Sequence, residues 1–351
     1  MKLLEKMYVA AGNLLFPKSI PAPVTPQSSV VTQGHADPSL ITEEDVFYCY
    51  RLLWQKPPDP EGMKFWRERI GHTNIRTLID YFIDHDHFRS AEAIRAKPTI
   101  VELQGFKMCV QMRDWQVGSV IANHKIWEPY VTQEIQKNLK SGQTFLDLGA
   151  NIGYFTLLGA SLVGPTGKVI AFEPNPDNCD LIRQSVELNQ FQNIILHCNA
   201  VGDREAEFFL DWDYDTAHSN SLVKEVPTTS KRVATRTVVL DKILKNDSRI
   251  DVMKIDIEGW EGLALRGMTQ MLNRDHPIIF TEFFPGMIAR FSRIDPKSYL
   301  DEIQSLGYRF AVLPETDHGK DTFYNSEQVM KYWEGLGNPG KHVDLVAYPN
   351  Q

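Results

Sequence analysis

The sequence lacks the features that mark several common protein classes. Only four of its 351 residues are cysteine, at positions 49, 109, 179 and 198, and none of them forms a C-x-x-C pair. We therefore expect reduced, buried thiols in a cytoplasmic protein, with no zinc site and no disulfide framework. No apolar run approaches the roughly 20 residues that cross a bilayer. The net charge of −8 offers no broad basic surface, which argues against nucleic acid as a partner.

The composition of the chain is that of a globular protein with more than one domain. Hydrophobic residues make up 42% and charged residues 23%, so a packed core is expected. Residues 1–40 combine an amphipathic segment with a linker rich in Pro, Ser and Thr. Residues 41–97 predict a small all-α domain, and residues 98–351 predict an α/β domain. The apolar face of residues 1–16 is expected to dock on the protein's own surface or to fray, with contact with a partner or with the inner membrane face as the alternative.

The predicted all-α domain contains three helical patterns, the first of which begins at a Thr42 cap followed by acidic residues. The stretch YRLLWQKPPDPEGMKFW, together with Phe82, Phe88 and Ser90, carries a resemblance. It resembles a small helical domain of unassigned function that accompanies bacterial surface and glycan-modifying proteins. This resemblance implies a docking or spacer module without chemistry of its own.

The most informative stretch of the chain reads TFLDLGANIGYFTLLGA. An apolar strand ends near Asp147, and the turn that follows contains Gly149, Asn151 and Gly153. An apolar helix comes next, and Glu173 then ends the following strand. A strand, a glycine turn, a helix and an acidic residue at a second strand end indicate a nucleotide-type pocket in an open parallel sheet.

The turn also indicates which ligand the pocket takes. It reads D-x-G-x-N-x-G and lacks the G-x-G-x-x-G of a pyrophosphate site. S-adenosylmethionine fits this pattern, because Asp147 would face its cationic end, the turn amides its carboxylate, and Glu173 both ribose hydroxyls. Asn199 and Ala200 would flank the adenine ring. A Rossmann-like turn for NAD or FAD, or an empty structural turn, is the alternative.

Strands and helices alternate after the turn, which predicts a mainly parallel sheet with helices on both faces. Upstream of the turn, VELQGFKMCVQM and SVIANH predict a hairpin. Downstream, the predicted strands are residues 168–172, 194–198, 252–256 and 278–282, followed by GYRFAVL and HVDLVAY. Because the carboxyl ends of parallel strands lie along one edge, polar residues at those ends are expected to line one site.

A second distinctive block reads VMKIDIEGWEGLALRGM. Alternation along its strand would place Lys254, Asp256 and Glu258 on one side. One interpretation is that Lys254 and Glu258 pair with each other at the strand end. The other places Asp256 beside a transferred methyl group, with Glu258 or Glu282 near the acceptor.

These motifs, in this order and spacing, resemble the FkbM family of S-adenosylmethionine-dependent methyltransferases over residues 105–348. The resemblance implies a seven-stranded Rossmann-like methyltransferase sheet whose last strand is inserted antiparallel. It also implies O-methyl transfer to a hydroxyl of a sugar, a glycan or a secondary metabolite. Carried over by motif position, the cofactor shell is Asp147, Gly149, Asn151, Gly153, Glu173 and Asn175, with Asp256 beside it.

Three functional hypotheses follow from the sequence. The first is an O-methyltransferase in which a carboxylate or histidine takes the acceptor's proton. The candidates for that role are Asp256, Glu258, Glu282 and His124. The second keeps the fold but adds a divalent cation bound by Asp256, Glu258 or Glu282, although the motifs assign no metal site. The third is a non-catalytic scaffold with a degenerate methyltransferase domain. The polar stretch DWDYDTAHSNSL is expected to form either a substrate lid or a solvated loop.

Overall fold

The structure is a computed structural model that describes residues 40–53, 57–84, 97–213, 216–223, 231–313, 323–338 and 340–350. The chain divides into two compact units, residues 1–85 and residues 86–351. The amphipathic segment, residues 1–16, lies outside the described residues. Among the residues that the structure describes, no helix is both long enough and apolar enough to span a bilayer.

In its described residues, the first unit contains three helices: α1 (Glu43–Leu53), α2 (Pro60–Arg67) and α3 (Ile75–Asp84). Asp59 caps α2 by accepting a hydrogen bond from the Gly62 amide at 2.8 Å. Trp66, Leu78 and Phe82 are at most 2% exposed and form the small core, in which the rings of Trp66 and Phe82 stack. The predicted helical character of this segment is therefore confirmed.

The second unit is built around a seven-stranded sheet. Its strands, in chain order, are β3 (Thr144–Leu148), β4 (Lys168–Phe172), β5 (Ile194–His197), β10 (Val252–Ile255), β11 (Ile278–Phe283), β12 (Tyr308–Val312) and β13 (Val343–Pro349). In space the strands follow the order β12-β13-β11-β10-β3-β4-β5. All of them run parallel except β13, which is antiparallel to both of its neighbours. The predicted sheet, with its last strand inserted antiparallel, is confirmed.

Helices cover both faces of this sheet. They are α4 (Gly118–His124), α5 (Pro129–Asn138), α6 (Tyr154–Val163), α7 (Pro176–Asn189), α8 (Leu240–Ile243), α9 (Glu261–Arg266), α10 (Thr269–Asp275), α11 (Pro285–Phe291), α12 (Pro296–Ser305) and α13 (Ser326–Gly335). Side chains alternate between two cores along each strand. In β3, Leu146 and Leu148 belong to one core, and Phe145 belongs to the other. Both faces are therefore apolar, as expected for a parallel sheet covered on each side.

Part of the hairpin prediction is wrong. The hairpin consists of β1 (Pro98–Leu103) and β2 (Phe106–Gln111), whereas SVIANH lies in helix α4. The reason is a contact that the pattern did not reveal: the carboxylate of Asp114, three residues before the N-cap Val117, accepts hydrogen bonds from the amides of Val117 and Gly118 at 3.1 and 2.9 Å. A helix can therefore start at a point where the side chains alone suggest a strand.

The sequence pattern of residues 260–272 predicts a single helix, whereas the structure forms two, α9 and α10. The helix is interrupted at Gly267, where an added Cβ would lie 2.1 Å from the carbonyl oxygen of Gly202. Two backbones therefore meet at this point, and only a residue without a side chain allows that approach.

A four-stranded sheet was missed altogether. It contains β6 (Ala200–Val201), β7 (Ala206–Asp213), β8 (Thr216–Val223) and β9 (Lys231–Val238), in the order β6-β9-β7-β8. Phe208 and Leu210 of β7 are buried and pack with Trp260 and Ala200. The predicted loop or lid in DWDYDTAHSNSL is thus strand over most of its length.

Candidate active site

The carboxyl ends of β4, β3 and β10 meet at the glycine turn between β3 and α6. The turn packs directly against the end of β10: an added Cβ on Gly149, whose φ is +83°, would lie 1.8 Å from the carbonyl oxygen of Asp256. Gly153, at φ +95°, starts α6, and an added Cβ there would lie 2.8 Å from Ile182. The two glycines therefore allow the turn to fit between its neighbours.

The amides of this turn bond within the protein, which differs from the expectation that they face a ligand. The amides of Gly149 and Ala150 both donate to the Phe172 carbonyl, and the Asn151 amide donates to Glu173. The Ile152 amide donates to the Asn151 side chain, and the Gly153 amide donates to Ala150. The turn is therefore a preformed structure whose shape does not depend on a ligand.

Glu173 holds the turn in place. Its Oε2 accepts a hydrogen bond from the Asn151 amide at 2.8 Å, and its Oε1 accepts from the Asn175 amide at 2.9 Å and from Asn178 Nδ2 at 3.3 Å. The side chain is only 4% exposed, and this burial raises the pKa of Glu173 to about 7 despite the three donors. A carboxylate has about four acceptor sites, so about one is left for a ligand hydroxyl.

Asp147 and Asn175 have structural contacts. Asp147, which is 1% exposed, accepts a hydrogen bond from the Thr156 hydroxyl at 2.6 Å, and burial raises its pKa to about 6. Asn175 caps α7 by accepting a hydrogen bond from the Asp177 amide at 3.0 Å. Both residues therefore fix the ends of elements that border the site.

A cleft of about 620 Å³, partly open to solvent, lies beside the turn. Of the predicted site residues, seven line it: Gly149, Asn151, Glu173, Asn199, Ala200, Asp256 and Glu258. The sequence interpretation missed six more: Phe172, Pro174, Asn178, Val201, Ile257 and Trp260. The other predicted residues, Asp147, Gly153, Asn175, Glu282 and His124, lie outside this lining.

Trp260 is the most informative of the missed residues. It is 7% exposed, lies edge-to-face against Phe208, and has an indole N–H without a hydrogen-bond acceptor among the described residues. A buried donor of this kind normally has a partner. Its signal in the sequence was a large aromatic residue soon after β10, which ends at Ile255 and is followed by Asp256 and Glu258.

Lys254 forms an ion-pair centre at the end of β10. Its ammonium lies 2.6 Å from Asp256 Oδ2, 3.6 Å from Glu128 Oε2 and 4.6 Å from the ring centre of Phe155. Burial alone would lower the pKa of Lys254, but the Asp256 and Glu128 carboxylates outweigh it and raise the pKa, so the ammonium stays charged. The proposed pairing of Lys254 with Glu258 is not the contact observed at these distances.

A smaller cavity adjoins this centre, with about 230 Å³ of space that includes open solvent. Asp256 lines both this cavity and the cleft. The other polar residues of its wall are Glu128, Lys254, Thr281, Glu282 and Asp344. Burial, followed by the neighbouring carboxylates, raises the pKa of Glu282 well above its ordinary value. Carboxylates thus outnumber the single lysine in this wall.

His124 does not reach this site. It is the last residue of α4 and is exposed, and neither the cleft nor the smaller cavity includes it. The structure therefore brings Asp256, Glu258 and Glu282 to one region and leaves the histidine candidate apart.

The cleft suits a ligand that carries a hydroxylated sugar and a flat ring. Glu173 offers an acceptor to a hydroxyl group, and the unpartnered indole N–H of Trp260 offers a donor. Phe172, Ala200 and Val201 give the same cleft apolar walls. This combination of few polar groups with apolar walls is typical of small-molecule and cofactor sites.

Residues 147–310 match the family described as the methyltransferase FkbM domain. The protein carries an FkbM methyltransferase domain. This domain spans the glycine turn, Glu173, Asp256 and Glu282, so it contains most of the site described above. The predicted resemblance is confirmed, and S-adenosylmethionine as cofactor agrees with it. The helical unit remains without an assignment.

Three solved structures illustrate what this chain is similar to. A precorrin-6y C5,15-methyltransferase from Geobacter metallireducens is 12% identical with a TM-score of 0.36, over 64% of this chain and 90% of that one. Methyltransferase FkbM from Methylobacillus flagellatus is 14% identical with a TM-score of 0.35, over 86% and 58%. Aeropyrum pernix fibrillarin, with natively bound S-adenosyl-L-methionine, is 10% identical with a TM-score of 0.35, over 71% and 97%. No curated protein matches the chain.

Proposed function

We propose that the protein is an S-adenosylmethionine-dependent O-methyltransferase that acts on a hydroxyl of a sugar, a glycan or a secondary metabolite. The observation that carries this proposal is Glu173, a buried carboxylate at a strand end with about one acceptor site left beside the cleft. Its position inside an FkbM methyltransferase domain supports the same conclusion.

Different residues of the cleft bind different parts of the cofactor. Glu173 accepts a hydrogen bond from the ribose, and Asn199, Ala200 and Trp260 surround the adenine ring. The glycine turn lets the chain approach closely without side chains in the way. Asp147, Gly153 and Asn175 act indirectly, because they hold the turn and the two helix starts around it. When bound, the cofactor supplies an electrophilic methyl group.

We assign Asp256 to the acceptor side of the reaction. It lines both the cleft and the smaller cavity, so it borders the cofactor on one side and an acceptor on the other. The Lys254 ammonium at 2.6 Å fixes its side chain. We assign to Asp256 the role of accepting the hydroxyl proton as the methyl carbon is attacked in line. Glu258 and Glu282 are the neighbouring carboxylates that orient the acceptor.

The smaller cavity favours an acceptor with several hydroxyl groups. Its wall offers the carboxylate oxygens of Glu128, Glu282 and Asp344, which accept hydrogen bonds from hydroxyl donors. The net charge of −8 argues against a nucleic-acid acceptor. Free cysteines are consistent with a reducing, cytoplasmic location. Contact of residues 1–16 with the inner membrane face is part of this proposal as an alternative to docking on the protein itself.

The test has a binding step and a transfer step. Titration calorimetry should show one equivalent of S-adenosylmethionine bound by the wild-type protein. The protein is then incubated with methyl-labelled cofactor and a panel of sugars, some with hydroxyl groups only and some with amino groups. NMR of the labelled product distinguishes an O-methyl from an N-methyl linkage. Absence of binding would leave the non-catalytic scaffold, and a labelled nitrogen or carbon would overturn the O-methyl assignment.

A further inference from the structure

A cluster of three potential metal ligands lies where β11 pairs with β13. Glu282 and Asp344 are directly opposite in this antiparallel pair, and His342 immediately precedes β13. One ligand atom from each of the three residues lies within 4.8 Å of the other two, and His342 Nδ1 is 3.1 Å from Glu282 Oε1. Residues directly opposite in a sheet project from the same face, so both carboxylates point to the same side.

The carboxylates of this cluster favour a bound cation. Like charges directly opposite on neighbouring strands destabilise a sheet. Asp256 and Glu128 line the same cavity and add to the negative charge. The ammonium of Lys254 lies between those two carboxylates, 2.6 Å from Asp256 and 3.6 Å from Glu128. The Lys254 ammonium therefore pairs with Asp256 and Glu128 rather than with Glu282 and Asp344.

We propose that Glu282, His342 and Asp344 bind a divalent cation of the first transition row, of the Mn²⁺ class. One imidazole with two carboxylates suits such an ion, whereas Mg²⁺ and Ca²⁺ prefer oxygen ligands alone. Ligand atoms about 2.1 Å from an ion are at most about 4.2 Å apart, so side-chain movements of under about 1 Å would close the site.

The position of this site gives it a role that rests on the proposed function. Three protein ligands leave coordination positions open, as in catalytic metal sites. Glu282 and Asp344 line the cavity that Asp256 also lines, so a hydroxyl in an open position would adjoin the Asp256 carboxylate. A bound cation would make such a hydroxyl more acidic. Its proton would pass to the Asp256 carboxylate while the oxygen bonds to the methyl carbon and the carbon–sulfur bond breaks, which leaves S-adenosylhomocysteine.

The binding test does not require an acceptor. The purified full-length protein, treated with EDTA and desalted, is titrated with Mn²⁺, and the free ion is measured by electron paramagnetic resonance. His342→Ala and Asp344→Asn test the cluster. His342 is 49% exposed and Asp344→Asn preserves size, so both variants should fold, and melting curves check this. His72→Ala, at an exposed histidine of the helical unit, is the matched control.

Wild type and His72→Ala should each bind one equivalent of Mn²⁺, and the two cluster variants should bind it at least tenfold more weakly. Absence of binding by the wild type at millimolar Mn²⁺, or equal binding by folded cluster variants, would overturn the inference. A parallel titration with S-adenosylhomocysteine separates the two proposals. Cofactor binding without Mn²⁺ binding removes only the metal site, and Mn²⁺ binding without cofactor binding removes the methyltransferase proposal.

Discussion

The Glu173→Gln substitution gives the sharpest test of the cofactor site. The structure leaves this carboxylate about one acceptor site after its three protein hydrogen bonds, so it can take one ribose hydroxyl and not two. A hydrogen bond to a charged group contributes about 1.5–3 kcal/mol. The variant should therefore bind S-adenosylhomocysteine roughly 10- to 100-fold more weakly at pH 8.

The same substitution should not destabilise the protein at pH 8. Burial raises the pKa of Glu173 from 4.5 to about 7. A group whose pKa is raised by folding adds stability that is full below pH 4.5 and is lost as the pH rises through 7. At pH 8 the buried charge costs about 3 kcal/mol, which glutamine removes. Glutamine leaves the Asn151 amide without its acceptor, at about 1–3 kcal/mol, so the free energy of unfolding should rise by about 0–2 kcal/mol.

The affinity should also depend on pH in one direction. Wild-type affinity for S-adenosylhomocysteine should fall as the pH is lowered from 8 to 6, because Glu173 takes up a proton and loses its charge-assisted bond. The variant should lack this dependence. Titration calorimetry at both pH values measures the affinities, and Glu187→Gln, an exposed site on helix α7, serves as the control. Equal dissociation constants for wild type and Glu173→Gln at pH 8 would refute the assignment.

Three further predictions concern the turn, the acceptor side and the core. Gly149→Ala should prevent soluble folding, because its Cβ would lie 1.8 Å from a carbonyl oxygen. Gly142→Ala is the control, since Gly142 has nearly the same positive φ and no atom closer than 3.7 Å to the added Cβ. A similar loss of soluble yield in both variants would disprove the packing argument. Asp256→Asn should slow methyl transfer about 100-fold or more while S-adenosylhomocysteine still binds, and full turnover would exclude Asp256 as the proton acceptor. Glu261→Gln should raise the free energy of unfolding at pH 8 by about 1–2 kcal/mol, since burial raises the Glu261 pKa to about 7. Its Oε1 accepts the hydrogen bonds from the amides of Ile257 and Gly259, which glutamine can keep, and its Oε2 has no partner among the described atoms. Urea unfolding at pH 5 and pH 8 measures it, and a gain at pH 5 equal to that at pH 8 would contradict the electrostatic cause.

The local elements of the α/β unit were largely predictable from the sequence. Strand β4 matches its predicted bounds, because an apolar run lies between Gly167 and Glu173 with clear limits on both sides. The glycine turn was recognised as well, since its residues are adjacent in the chain. Seven of the twelve predicted site residues line the cleft, and these follow directly from strand ends and the turn.

The remainder depends on contacts between distant residues or on backbone angles. The alternation argument for Lys254 and Glu258 stops at Ile255, where β10 ends, and Glu258 has a φ of +55°. Side chains beyond that point no longer alternate between two faces. Glu282 and His342 are 60 positions apart, 342 − 282, and only the pairing of β11 with β13 brings them together. No local pattern contains that information.

The reversed direction of β13 has a consequence for how this unit is made. Ribosomal synthesis delivers β3 early and residues 343–349 much later, yet β13 separates β11 from β12 in the finished sheet. Until it arrives, nascent chains expose two unpaired strand edges, which invite association between neighbouring molecules. We therefore expect the unit to depend on chaperones until β13 pairs with β11 and β12. The same strand brings Asp344 opposite Glu282.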